Sequence, residues 1–188
     1  MSDEILGDRR TALEDQFFQR ESERLRRQLH EKQERAEGIR ALAAASGLDD
    51  EAILGLLIEK NIGPATFAAF SLVPLIEVAW ADGKLERAER DAVRRAAEVG
   101  GVVEGTPAYE LLQTWLDHPP EAALLLAWES FTRALCETLP EEKAKDLQES
   151  VLGRARTVAD AAGGFLGLTT KISREEQEML DRLARAFP

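Results

Sequence analysis

Apolar residues recur at helical spacing along most of the chain. Nowhere do they alternate one by one, as the side chains of a half-buried strand would. Residues 9–45 contain no proline and are rich in Arg, Glu, Gln, Leu and Ala, which predicts a long first helix. Glu23 to Arg27 and Glu31 to Arg35 at i+4, with Glu21 to Arg24 and Glu37 to Arg40 at i+3, support it. Its apolar stripe is thin: Leu13, Phe17, Phe18, Leu25, Leu29, Ala36, Ile39, Leu42 and Ala43. Part of that stripe follows a heptad, broken by Ser22 and Lys32. Unbroken, the helix is about 55 Å long, against ~40 Å for a compact body of this chain length. It therefore either breaks near Gly38 or projects as an arm. A projecting arm so thinly apolar needs a partner, either another protein or a second copy of the chain.

Downstream, Asp50 is placed to cap a short helix over about 50–60. Gly63-Pro64 then opens an almost wholly apolar run to Ala81, interrupted only by Thr66, Ser71 and Glu77. A helix apolar on every face is either a core helix or a membrane span. Glu77, Pro74 and the acidic flanks Glu59, Asp82 and Glu86 favour the core, with a kink expected at Pro74. Further helices are predicted over about 87–99, 107–117, 120–138, 141–161 and 174–186. Pro119-Pro120, Pro140 and glycines at 100, 101, 105, 163, 164 and 167 separate them. The fold class is all-α: a compact bundle with a long N-terminal helical extension, divided as an arm over 1–46 and a domain over 47–188.

Charge narrows the partners. The 188 residues carry a net charge of −11, of which residues 1–40 contribute only −1. The acidic remainder repels phosphate backbones, so no nucleic-acid partner is expected. Cys136 is the only cysteine, and its neighbours Phe131, Ala134, Leu135 and Leu139 mark it as core. The acidic start Met-Ser-Asp-Glu-Ile-Leu has no hydrophobic signal core, so a cytoplasmic protein is expected.

One segment recurs. Residues 81–93 and 168–180 align at a constant offset, pairing Lys84, Leu85, Arg87, Glu89 and Val93 with Lys171, Ile172, Arg174, Glu176 and Leu180. In each copy an apolar residue pins a turn and a helix starts. Ser173-x-x-Glu176 is a capping box in the second copy; Glu86 stands at the cap position of the first. That departure makes Glu86 a candidate kept for its charge.

The stretch from Leu72 to Arg90 resembles the TerB-like family, the tellurite-resistance B domains. The resemblance rests on an apolar helix ending in Ala81-Asp82-Gly83, then Leu85, then Glu89-Arg90. It extends over residues 64–188 and includes the second half-motif. It implies a helical bundle of two similar halves, links to stress response and to the cytoplasmic membrane surface, and acidic metal ligands in some members. Thr169 and Ser173 replace Asp82 and Glu86 in the second half, so a symmetric pair of metal sites is not expected. Asp8 to Phe18 and the Arg/Glu-rich helix after it are faintly similar to zeta-type inhibitor subunits of ATP synthase. His118-Pro119-Pro120 lacks the aspartate of a J-domain.

Catalytic chemistry is sparse. His30 and His118 have no ligand spacing, no phosphate-binding loop is present, and Cys136 has no evident base. A non-enzymatic binding or adaptor module is therefore expected. The one acidic constellation is Asp82, Glu86 and Glu89, joined by Glu77, whose hard oxygens suit Ca²⁺ or Mg²⁺. This makes a metal-binding regulator the alternative. Glu77, inside an apolar helix, must be neutral, paired or metal-bound if buried.

Overall fold

The computed structural model describes residues 2–162 and 172–188, with side chains from residue 19 onward except at Ala162. Every regular element among them is a helix. They run α1 (Ser2–Ser46), α2 (Glu51–Glu59), α3 (Phe67–Phe70), α4 (Val73–Ala79), α5 (Arg87–Val99), α6 (Pro107–Asp117), α7 (Ala122–Thr138), α8 (Glu141–Ala162) and α9 (Arg174–Ala184). The chain forms two compact units, Met1–Gly38 and Ile39–Pro188.

The first unit is helix over all its described residues, from Ser2 onward. α1 passes Gly38 without a break and spans about 67 Å. Its predicted Phe17–Phe18 cluster lies outside the residues whose side chains are described. From Ser22 to Arg35 every residue is exposed.

The second unit begins inside α1. Leu42 is fully buried, with Ile39 and Ala43 packed beside it on the core. This places the boundary between units eight residues before the one read from the sequence: an apolar turn commits the end of α1 to the core. Gly47, at φ +73°, ends the helix and donates its N–H to the Ala43 carbonyl at 2.9 Å. Asp50 caps α2 as expected, its Oδ1 accepting from Ile53 N at 3.0 Å.

The apolar run over 64–81 is not a single helix. Pro64 lies in a turn held by Thr66, whose Oγ1 accepts from Gly63 N and donates to the Asn61 carbonyl, both at 2.9 Å. The chain is helical over α3, breaks at Ser71-Leu72 and restarts as α4. Pro74 sits in the first turn of α4, where its missing N–H has no helical partner to lose, so it starts a helix instead of kinking one. The core role does hold. Val73, Leu75, Ile76 and Val78 are fully buried, and α4 packs on α5, α7, α8 and α9. Phe67, Phe70 and Phe131 form an aromatic triangle with centroids 5.6 to 6.0 Å apart. Cys136 is a free, buried thiol. Among the described residues, no helix is long and apolar enough to cross a membrane.

Candidate functional site

The acidic turn is built by local rules. Gly83 N donates to the Trp80 carbonyl at 2.8 Å, and Gly83 takes φ +83°, which a side chain would resist. Asp82 Oδ1 accepts from Lys84 N at 2.8 Å, closing the turn. Leu85 then pins the chain to the core. Glu86, extended at φ −70° and ψ 155°, is the N-cap of α5, and its N–H donates to Glu89 Oε2 at 2.8 Å. The first half-motif therefore carries a capping box of its own, with Glu86 in the role that Ser173 fills in the second.

These bonds divide the three candidate ligands. Asp82 and Glu86 are exposed, whereas Glu89 is 3% exposed and points inward. Arg90, the last residue of the signature, reaches the C-terminal end of α6. Its Nη1 pairs with Asp117 Oδ1 at 2.9 Å and its Nη2 donates to the Leu116 carbonyl. Trp80 Nε1 donates to the Trp115 carbonyl at 2.9 Å, so the same motif holds α6 at two points. Asp82, Gly83, Leu85, Glu89 and Arg90 of the pattern thus each have a structural task.

Glu89 faces Glu176. Glu176 is 5% exposed and occupies the matching N3 position of α9, where its carboxylate accepts from Ser173 N and its own N–H donates to Ser173 Oγ at 3.1 Å. The two glutamates paired by the repeat lie close enough that Glu176 helps to raise the Glu89 carboxyl. Burial is the main force pushing the Glu89 carboxyl up to about 8. The Glu86 N–H opposes this, while Glu176 and Asp82 reinforce it. The repeat in the sequence therefore brings two buried carboxyl groups under each other's influence, one from each half-motif.

Glu77 belongs to a different constellation. It is half-buried on α4, and its Oε1 is buried without a hydrogen-bond partner. Burial raises its carboxyl to about 7, Arg182 acts against that and Glu129 adds to it. Arg182 on α9 and Glu129 on α7 form an ion pair at 2.6 Å. Sequence reasoning missed both. The signal for Glu129 was the one used for Glu77, an acid following an apolar helical run (Ala122–Trp128); Arg182 had no such mark.

Among the described residues, no three His, Cys, Asp or Glu side chains gather as a metal ion requires. His30 and His118 are both exposed, His30 pairing with Glu34 at 3.2 Å. Burial pushes the Cys136 thiol up, away from the reactive thiolate. On α1, Leu25 and Leu29 lie one turn apart and are 50% and 61% exposed. No family model, curated protein or solved structure matches this chain.

Proposed function

We propose that this protein is a non-enzymatic binding module that engages a partner protein, or a second copy of itself, along α1. The observation that carries the reading is the exposed pair Leu25 and Leu29 on a long helix whose described middle is open to solvent. A lone helix of this composition gains little from propensity alone and is stabilised by packing an apolar face. The arm is almost neutral while the rest of the chain is strongly acidic, so the arm is the part least repelled by an acidic partner or an identical copy.

Two further points support the module reading. The carboxyl groups with raised proton affinity, Glu77 and Glu89, are engaged with other side chains of the bundle, as expected of groups that hold helices together. The resemblance to TerB-like domains supports an adaptor role in a stress response, in the cytoplasm and at the membrane surface. Light scattering of the full chain beside L25D/L29D, at matched concentrations, tests the association. Loss of an oligomer or of a bound partner in the variant, with its melting unchanged, is the expected result. An identical mass and identical partner binding in both proteins would remove α1 as the binding element.

A further inference from the structure

α5 and α8 lie side by side in the second unit and leave an open cavity of about 250 Å³ between them. Its apolar lining comes from Ala92, Ala96 and Val158, with Val99 standing 91% exposed at the end of α5. Arg95 from one helix and Arg154 from the other complete the wall. Arg154 Nε donates to the Ser150 carbonyl at 3.3 Å. Among the described residues, neither arginine has a carboxylate partner.

We infer that this groove receives an amphipathic helix of another protein, one that presents large apolar side chains at i and i+4 with carboxylates on their flanks. Charge complementarity supplies the sign of the flanks, since guanidiniums from two different helices line one apolar trough. The shape supplies the class. The lining runs along α5 from Ala92 to Val99, about two turns, which matches two side chains one turn apart on an incoming helix. A free acyl acid is a poorer fit, because small-ligand sites enclose most of their ligand and this cavity is open on one side. A flat bilayer surface is a poorer fit than a helix to a trough between two helices. This inference concerns the second unit and does not depend on α1.

The test uses the full chain and two synthetic helical peptides of about 18 residues. Both carry leucines at i, i+4, i+7 and i+11; one has Glu on the flanks and the other Lys. Fluorescence anisotropy should show the Glu peptide binding, with the Lys peptide weaker by roughly ten-fold or more. R95E/R154E should reverse that preference, and V99D should weaken the Glu peptide, while both variants keep the melting temperature of the parent. Amide NMR shifts caused by the Glu peptide should centre on residues 92–99 and 154–158. Equal binding of the two peptides, a double variant that still prefers Glu, or shifts centred elsewhere would overturn the inference. So would decanoate, or vesicles containing phosphatidylserine, giving those same shifts when the Glu peptide does not. A dimer of the full chain that R95E/R154E dissolves would assign the groove to a second copy instead.

Discussion

Glu89 and Glu176, 87 positions apart in sequence, are the buried N3 residues of α5 and α9, and Glu176 helps to raise the Glu89 carboxyl. Each also completes the capping box of its own helix. The positive ends of two helix dipoles therefore lie beside these carboxyls.

The raised Glu89 carboxyl makes stability depend on pH. The folded-state proton affinity of Glu89 is raised, so between about 4.5 and about 8 the folded protein holds a proton that the unfolded chain has released. Its contribution is complete below the lower value and is lost as pH rises through the upper one. Denaturant melts should therefore show declining stability from pH 5 to 8.5, and E89Q should flatten that decline. An equal slope in parent and variant would mean that the Glu89 carboxyl is not raised in the folded protein.

Glu77 should titrate in the same direction at slightly lower pH, because its carboxyl is raised to about 7. E77Q keeps the shape and removes the ionisation, so it should be close to neutral at pH 5. At pH 8 it should be more stable than the parent by about 1–3 kcal/mol. Replacing Arg182 with Leu removes the cation that restrains the rise and should move the Glu77 titration upward. Carbon-13 NMR of the glutamate carboxyls reads both effects, and an unmoved Glu77 in R182L would separate the two residues.

Arg90 joins α5 to the end of α6 through Asp117 and the Leu116 carbonyl. R90A leaves that carbonyl without its charged donor and should destabilise the protein by about 1–3 kcal/mol. R90K keeps the charge but not the forked geometry and should recover only part of the loss. Urea midpoints at constant m-value measure both. A parent-like R90A would show that the signature arginine is not structural.

The extent to which the sequence disclosed this structure follows the range of the interactions involved. The α2 cap at Asp50, the Gly83 turn and the second capping box use neighbours within three residues, and residue type alone marks them. The central burial of Val73–Ala79 was legible from a composition that is apolar apart from Glu77. The break at Ser71-Leu72 was not, because Pro74 reads equally as a kink or as a first-turn residue until tertiary packing decides. Among the site residues, the aligned repeat already set Glu89 opposite Glu176. Their proximity depends on how α5 and α9 pack, which no local pattern encodes. The same holds for Arg182 with Glu129 and Glu77, which come from three helices.

The arm carries the central claim, and site-specific photo-crosslinking from Leu29 in living cells addresses it most directly. Arg27, on the opposite side of the same helix, serves as the control position. A crosslinker at Leu29 should yield one defined adduct, with a single partner or with the chain itself, that disappears when Leu25 becomes Asp. The crosslinker at Arg27 should yield none. Adducts of the same kind and amount from both positions, or none from Leu29, would contradict the reading of α1 as a binding helix.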